Sequence, residues 1–288
     1  SGSGKSTILK LLAGFYQPTF GEIKLLNNLI SSSNLLVQTS DRNIGLMFQE
    51  EVLFPHLTVY KNIAFGIEKL EDKDNLINKY LKNFGLVELR NNYPDSLSGG
   101  EKQRVSLARI LITKPKILLM DEPFSSLDKN LRTDICDYTI KILREKKISV
   151  IFVTHDVNEA FRISNRILIL KDGNVQQIDA PEKIYNFPES KYTAELVSDI
   201  NQFSAKSNNL GFINTPFGNI QCKCSGRKHF CLIRPSDLYF SKRGINAKIV
   251  DRHFLGSAWE YKVFISNSFP ILKIYPSQIF FGDRENIK

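Results

Sequence analysis

One short stretch indicates the fold of this chain: Ile117-Leu118-Leu119-Met120-Asp121-Glu122. Four apolar residues followed by two acids predict a buried strand that delivers carboxylates to its carboxyl end. In open α/β sheets, ligands bind in the crevice at that end of the strands. Asp121 is suited to hold Mg²⁺ through water, and Glu122 is suited to act as the general base toward an attacking water. We therefore expect an α/β fold with a catalytic edge.

The sequence on both sides of this stretch alternates between strand-like and helix-like patterns. Three further buried or apolar strands are predicted, at Ile44–Phe48, Ser149–Val153 and Ile167–Leu170. Asp172-Gly173 then predicts a hairpin turn. Helices are predicted after a cap at Asp74, after Ser98, along the apolar stripe from Leu131 to Ile142, and from Pro181.

The first residues form half of a phosphate-binding pattern: Ser1-Gly2-Ser3-Gly4-Lys5-Ser6-Thr7. They match the second half of G-x-x-x-x-G-K-[ST], in which glycines let backbone N–H groups approach a polyphosphate. Lys5 is positioned to reach the β- and γ-phosphates, and Ser6 to offer its hydroxyl to Mg²⁺. The first Gly of the pattern and its preceding strand would lie before Ser1. We therefore expect an N-terminal truncation.

A second anion-binding helix start follows in the chain: Leu97-Ser98-Gly99-Gly100-Glu101-Lys102-Gln103-Arg104. This stretch resembles the signature motif of the ATP-binding-cassette (ABC) ATPases. The family usually has Gln where this chain has Glu101, and the Glu form is a familiar variant. The departure comes just after the Ser-Gly-Gly residues that would contact the nucleotide.

Three more motifs match the ABC family in the order that the family shows. Gln49 matches the Q-loop glutamine that touches Mg²⁺ and the attacking water. Ser125-Ser126-Leu127-Asp128 matches the D-loop, and His155 matches the switch histidine that contacts the γ-phosphate. A single His after a strand is more often structural, but five motifs in one order outweigh that alternative. The resemblance implies a P-loop NTPase: a RecA-like core with an inserted helical subdomain at about residues 52–110.

The resemblance also implies a head-to-tail homodimer that sandwiches each ATP. One chain would supply Lys5 for the phosphates, Ser6, Gln49 and Asp121 for Mg²⁺, and Gln49, Glu122 and His155 for catalysis. The other would supply Ser98, Gly99 and Gly100. The expected nucleotide contacts also include the rest of residues 1–7 and Asp128. The aromatic residue on which the family stacks adenine would lie upstream of Ser1.

Membrane partners are expected from the stretch Phe54-Pro55-His56-Leu57-Thr58-Val59. It is apolar and aromatic where solvated polar residues would be expected, and a locally buried loop is the alternative. In importers of the resembled family, this region docks a short helix of a membrane subunit. The implied assembly has two transmembrane permease subunits and a periplasmic or lipid-anchored solute-binding protein. The ATPase would lie on the cytoplasmic face of the bacterial inner membrane.

After about residue 200 the sequence changes to short β-prone runs separated by turn residues. This pattern predicts a small all-β barrel or sandwich. Ile233-Arg234-Pro235 and Phe254-Leu255-Gly256 resemble elements of the OB-like, TOBE-type regulatory domain of importer ATPases. We therefore predict an ATPase domain at 1–200 and a regulatory domain at 201–288.

Charge is concentrated in this tail. The net charge is +9, and residues 197–288 account for +7 of it, with 13 Lys and Arg against 6 Asp and Glu. A basic tail permits a nucleic-acid partner, but a solvated lysine-rich surface near an anionic membrane is the preferred interpretation, so we expect no nucleic acid. A soft-metal site at Cys222, Cys224, His229 and Cys231 is the minor alternative to small strand residues.

The resemblance is strongest to ferric-iron importer ATPases, on residues 41–66 and the Leu-Ser-Gly-Gly-Glu signature. Polyamine, thiamine, molybdate, sulfate and sugar importers remain alternatives. Two other classes are a soluble ABC ATPase acting on nucleic acid or ribosomes, and an inactive regulatory cassette. Only 116 residues separate Lys5 from Asp121, which leaves no room for a long coiled-coil insertion, and intact Lys5, Glu122 and His155 argue against inactivity.

Overall fold

The computed structural model describes residues 2–48, 53–67, 70–125, 127, 129–206, 212–215, 218–221, 228–241, 245–265 and 271–275. The chain divides into two compact units, Ser1–Pro181 and Glu182–Lys288. This division falls between Pro181 and Glu182. The assignment of an ATPase domain to 1–200 and a regulatory domain to 201–288 stays a prediction. Among the described residues, no helix combines the length and apolarity needed to cross a bilayer.

The centre of the first unit is a parallel sheet in the order β4-β5-β6: Ile44–Met47, Ile117–Asp121 and Ser149–Val153. Ile117 pairs with Ile44 on one side and Ser149 on the other. The three middle residues of β5 are buried, as the apolar run predicts. The prediction of a buried β6 is wrong for most of that strand, because only Val153 is buried. Within the described residues, β6 pairs with β5 on one edge.

The helix α1, Lys5–Ala13, packs against the sheet through Leu9, Leu119 and Val153. It ends at Gly14, which has a left-handed backbone (φ +92°). An antiparallel sheet that the sequence analysis did not predict follows, made of β1 (Glu22–Leu25), β2 (Asn28–Ser32) and β3 (Leu35–Leu36).

Arg42 connects α1 to this antiparallel sheet. Its side chain is nearly inaccessible, and it donates hydrogen bonds to the carbonyls of Leu11 and Leu12 at the end of α1. Its other nitrogens donate to the carbonyls of Ile30 and Val37. A Cβ on Gly14 would lie 2.5 Å from Arg42 Nε, so this position has no room for a side chain. The Arg42 guanidinium therefore donates to four carbonyls: two at the end of α1, one in β2 and one just after β3.

The helical part of the first unit contains α2 (Val59–Ala64), α3 (Lys73–Asn83) and α4 (Gly99–Leu111). Their buried faces form the largest apolar cluster, which is continuous with Met47 and Leu118 of the sheet. Ser98 caps α4 as predicted. The prediction of Asp74 as the cap of α3 is wrong. Asp72 occupies that position, and Asp74 lies in the first turn, where its carboxylate still favours the helix dipole and accepts from the Tyr60 hydroxyl.

The first unit is completed by α5 (Lys129–Glu145), α6 (Val157–Ile163), and a hairpin of β7 (Ile167–Lys171) and β8 (Asn174–Asp179). The hairpin turn at Asp172-Gly173 is confirmed, and both residues have positive φ. The prediction of a fully buried strand at Ile167–Leu170 is wrong. Leu168 is 47% exposed, whereas the adjacent Ile169 and Leu170 are both buried, because a shift in the pairing register between them interrupts the alternation of an antiparallel hairpin.

Pro181, the last residue of the first unit, starts the helix α7 (Pro181–Asn186) as predicted, and α8 (Lys191–Val197) follows in the second unit. The strands are β9 (Asn201–Lys206), β10 (Phe212–Thr215), β11 (Gly218–Gln221), β12 (Lys228–Ile233), β13 (Lys248–Phe254), β14 (Trp259–Phe264) and β15 (Leu272–Ile274). Within the described residues they form antiparallel sheets in the orders β12-β9, β10-β11 and β13-β14-β15. The β-rich tail is therefore confirmed. Closure into a TOBE-type barrel stays a prediction.

We expect Arg42→Met to lower the free energy of unfolding by about 3 kcal/mol, because buried carbonyls that accept from Arg42 lose their donors. Urea denaturation followed by circular dichroism measures this change. Arg144→Met is the matched control, because Arg144 is exposed on α5 and its loss should change stability by less than about 0.5 kcal/mol. Equal stability of the two variants would contradict the assignment of Arg42 as a structural connection.

Candidate active site

The carboxyl ends of β5 and β6 bring the predicted acids and the predicted histidine to one edge of the sheet. Asp121 is the last residue of β5 and pairs with Val153, the last residue of β6. The N–H of Glu122 then donates to the Val153 carbonyl at 2.9 Å, so the backbone pairing of these two segments continues one residue beyond the end of β5. Because parallel neighbours end at the same edge, His155 arrives beside Glu122.

Glu122 and His155 are in direct contact. Nδ1 of His155 lies 2.9 Å from Oε2 of Glu122. In the tautomer that carries its proton on Nδ1, His155 donates a hydrogen bond to the Glu122 carboxylate. The Glu122 side chain is 21% exposed and the His155 side chain 65% exposed, which leaves the imidazole open to a ligand.

The backbone of Glu122 is strained. Its φ of +46° is in the left-handed region, which costs free energy for a residue with a Cβ. The turn is held by Ser125, whose N–H and hydroxyl both donate to the Glu122 carbonyl, at 3.2 and 2.9 Å. Strained non-glycine residues cluster at functional sites, and the strained residue here is the predicted general base.

The phosphate loop lies at the same edge. The packing of α1 on β5 places Ser6 so that its hydroxyl donates to Asp121 Oδ1 at 3.1 Å. A hydroxyl and a carboxylate are the oxygen donors that Mg²⁺ prefers, so this pair fits the predicted metal. The ammonium group of Lys5 donates to the Ser3 hydroxyl at 3.2 Å within the loop.

The loop backbone has the shape of an anion cradle. Gly2 and Gly4 have φ values of +90° and +95°, and no atom would contact a Cβ on Gly2. Gly4 caps α1 without any side-chain hydrogen bond, so the first N–H groups of the helix stay available to an anion. Sequence reasoning missed a support for this loop: the N–H of Gly173, in the β7–β8 turn, donates to the Ser3 carbonyl.

The predicted signature residues form the start of α4. The Ser98 hydroxyl accepts from the Glu101 N–H, and the Glu101 carboxylate accepts from the Ser98 N–H and hydroxyl at 2.8 Å each. These hydrogen bonds lower the pKa of Glu101, and the largest contribution comes from the Ser98 backbone N–H. A Cβ on Gly99 would lie 3.5 Å from Leu127, so this helix start packs against the predicted D-loop. Gly100 is buried in the first turn.

Two residues near the site were not predicted to act there. Gln103, buried in α4, donates to the Pro123 carbonyl at 2.9 Å and so connects the signature helix to the turn after Glu122. Arg132, on α5, contacts groups on both sides of that turn. Gln103 belongs to the signature stretch, but its partner Pro123 lies 20 residues away. Arg132 combines a nearby partner, Leu127, with the distant Asp156.

Some predicted residues lie outside the described residues: Ser1, Gln49, Asp128, Cys222 and Cys224. Thr7 is described and is exposed in the first turn of α1. Cys231 is buried. Among the described residues, no group of three His, Cys, Asp or Glu side chains is arranged to hold a metal ion.

Known proteins resemble this chain along most of its length. Residues 1–125 match the family described as ABC transporter. The Fe(3+) ions import ATP-binding protein FbpC 2 of Haemophilus influenzae is 38% identical over 253 residues, covering 85% of this chain and 71% of that protein. The chain belongs to the ABC transporter family. Membership indicates ATPase activity, as the motifs predict.

Two other relatives of the ABC transporter family have different solutes in their names. The spermidine/putrescine import ATP-binding protein PotA of Mycoplasma capricolum is 35% identical over 91% of this chain and 78% of that protein. The sulfate/thiosulfate import ATP-binding protein CysA of Mesostigma viride is 34% identical over 96% and 80%. The P-loop NTPase fold is also supported by cbiO1 from Clostridium perfringens, part of the ABC transporter complex cbiONQ. The two structures have a TM-score of 0.59 and 29% identity over 66% of this chain and 77% of that one.

The strain at Glu122 leads to a stability prediction. We expect Glu122→Gly to be more stable than Glu122→Ala by about 1 kcal/mol, because only glycine adopts the left-handed backbone without a Cβ clash. Urea denaturation without nucleotide measures the difference.

Lys141, exposed within α5, is the matched control for this comparison. There the order should reverse, with Lys141→Gly less stable than Lys141→Ala by about 1 kcal/mol. If Glu122→Gly were less stable than Glu122→Ala, as expected for the same pair at Lys141, the prediction of strain at Glu122 would be contradicted.

Proposed function

We propose that this chain hydrolyses ATP to drive the import of a solute, with ferric iron as the solute. One observation carries the catalytic part: Ser6, Asp121, Glu122 and His155, separated by up to 149 positions in sequence, form two contacting pairs at one sheet edge. Because the chain belongs to the ABC transporter family, we propose that the polyphosphate of ATP binds at this edge of the sheet.

ATP would bind through the phosphate loop, residues 1–7. The backbone N–H groups at the start of α1 and the ammonium of Lys5 would meet the β- and γ-phosphates. No side chain caps that helix start, which supports this role. Ser6 and Asp121 would hold Mg²⁺ together with Gln49, and the ion would supply charge neutralisation at the phosphate oxygens.

Hydrolysis would use the contact between Glu122 and His155. A water oxygen attacks the γ-phosphorus as the bond from that phosphorus to the β–γ bridging oxygen breaks, releasing ADP and phosphate. Glu122 accepts the proton that the water loses. His155, held by the Glu122 carboxylate and largely exposed, would contact the γ-phosphate. Gln49 would position the same water.

A second copy of the chain would complete each site. Ser98, Gly99 and Gly100 lie at the start of a 13-residue helix, where N–H groups and the helix dipole favour an anion. In the proposed head-to-tail homodimer, this helix start and Asp128 would cover the ATP bound by the partner. Closing and opening this sandwich would drive transport.

The proposed partners in the membrane are two permease subunits, served by a solute-binding protein outside the inner membrane. Phe54 and Phe65 form an aromatic pair with ring centroids 4.4 Å apart, and Phe65 is 52% exposed. Buried Asn62 fixes this surface by accepting from the Phe54 N–H and donating to the Phe54 carbonyl. A hydrogen-bonded aromatic pair with exposed Phe65, after the predicted Q-loop, supports docking of a permease helix at the cytoplasmic face.

Ferric iron as the solute rests on the similarity to FbpC 2 of Haemophilus influenzae together with the sequence resemblance at residues 41–66. The PotA and CysA relatives match 91% and 96% of the chain, against 85% for FbpC 2, so polyamines and sulfate are the alternative solutes. The β-rich tail would act as a TOBE-type regulatory domain at 201–288, with its basic surface facing an anionic membrane rather than nucleic acid.

We expect Glu122→Gln to lower kcat for ATP hydrolysis by about 10²- to 10⁴-fold with little change in the KM for ATP, because the amide cannot accept the proton of the water. Phosphate release from the purified chain measures this. Glu88→Gln, at an exposed position, should match the unchanged protein. Full activity of Glu122→Gln would remove Glu122 from the role of general base.

We expect deletion of the gene to abolish uptake of radiolabelled ferric iron and to leave putrescine and sulfate uptake unchanged. The unchanged gene should restore iron uptake, and the gene carrying Glu122→Gln should not. Loss of putrescine or sulfate uptake instead would identify the solute as one of the alternatives. Unchanged uptake of all three would exclude them all.

A further inference from the structure

Arg132 reaches two carbonyls of the turn that follows Glu122. Its Nη2 donates to the Leu127 carbonyl at 3.0 Å and to the Ser125 carbonyl at 3.5 Å. Ser125 itself donates twice to the Glu122 carbonyl. Arg132 is therefore connected through one residue to the backbone of the proposed general base.

The other terminal nitrogen of the same guanidinium faces the segment that carries His155. Nη1 of Arg132 lies 3.6 Å from Asp156 Oδ2 and 3.8 Å from Glu159 Oε1. Glu159 is buried and accepts from the Thr154 hydroxyl at 2.7 Å. Asp156 caps α6 by accepting from the Asn158 N–H at 2.8 Å. Both residues that flank His155 in sequence are thus held in this network.

The residue type suits this double contact. A guanidinium is a planar fork that can donate to two acceptors on one edge and meet carboxylates on the other. The Arg132 side chain is only 29% exposed, so solvent screens these interactions less than it would on an open surface. A lysine ammonium could meet the carboxylates or the carbonyls, but its compact charge does not span both groups.

We infer that Arg132 is a positioning residue that holds the Glu122 turn and the His155 segment in a fixed relation. This inference rests on the proposed function, in which Glu122 and His155 act on the same phosphoryl group. The 2.9 Å contact between them links their side chains, and Arg132 links the backbones that carry them. In the described part of the chain, its hydrogen bonds and ion pairs go to Ser125, Leu127, Asp156 and Glu159. We therefore expect its loss to act on the chemical step rather than on ATP binding.

The test compares Arg132→Lys and Arg132→Met with the same changes at Arg162. Arg162 also connects α6 to α5, because its Nη2 lies 2.6 Å from Asp137 Oδ2. Both of these side chains are at least half exposed, and neither residue belongs to the Glu122 turn or the His155 segment. We expect Arg132→Lys to lower kcat about tenfold, with the KM for ATP changed by less than about twofold, because small misplacements of catalytic groups slow the chemical step. The Arg162 variants should keep the unchanged values.

Hydrogen–deuterium exchange of the nucleotide-free chain supplies a readout independent of activity. Amides in residues 122–127 and 154–159 should exchange faster in both Arg132 variants and at the unchanged rate in both Arg162 variants. If Arg132→Met does not fold, Arg132→Lys carries the comparison, because it retains the positive charge beside Asp156 and Glu159.

Unchanged exchange in both segments, or an unchanged kcat in Arg132→Lys, would overturn the inference while leaving ATP hydrolysis by the unchanged chain intact. A rise in KM with unchanged kcat would also overturn it, because it would assign Arg132 to ATP binding. If instead the proposed function is wrong, the unchanged chain will show no ATP turnover, whatever the exchange result. The two failures are therefore distinguishable.

Discussion

The pairing of β5 with β6 is the constraint on which the rest of the site depends. Their parallel register sets Asp121 opposite Val153, and one more backbone hydrogen bond, from Glu122 to the Val153 carbonyl, carries the pairing past the strand ends. Because both strands run in the same direction, the acids that follow one and the histidine that follows the other reach the same edge. A shift of one residue in this register would separate Glu122 from His155.

Other elements attach to this edge through independent interactions. Apolar packing of Leu9 on the sheet brings α1 close enough for Ser6 to meet Asp121. A hydrogen bond from Gln103 joins α4 to the turn after Glu122. The left-handed backbone of Glu122 is maintained because these surroundings restrict the turn from several sides. The site is thus held by specific hydrogen bonds between elements that pack together through apolar side chains.

Sequence patterns predicted the elements with strong local signals and missed those that depend on distant partners. The apolar run of β5, the cap at Ser98 and the turn at Asp172-Gly173 were recognisable because each signal is complete within a few residues. The sheet β1–β3 was missed because its strands are short and partly exposed. The burial of β6 was overestimated because an apolar sequence does not say how many neighbours a strand has.

By itself, the sequence determined the kind of chemistry: a glycine-rich loop before a helix, two acids after a buried strand, and a family signature at a helix start. These properties are local, since backbone freedom, strand burial and capping depend on adjacent residues. Only the tertiary structure decided which side chains meet. The ion pairs of Arg132 with Asp156 and Glu159 and the hydrogen bond of Gln103 illustrate this. Such interactions act over about 3–4 Å, and folding brings these distant partners within that range.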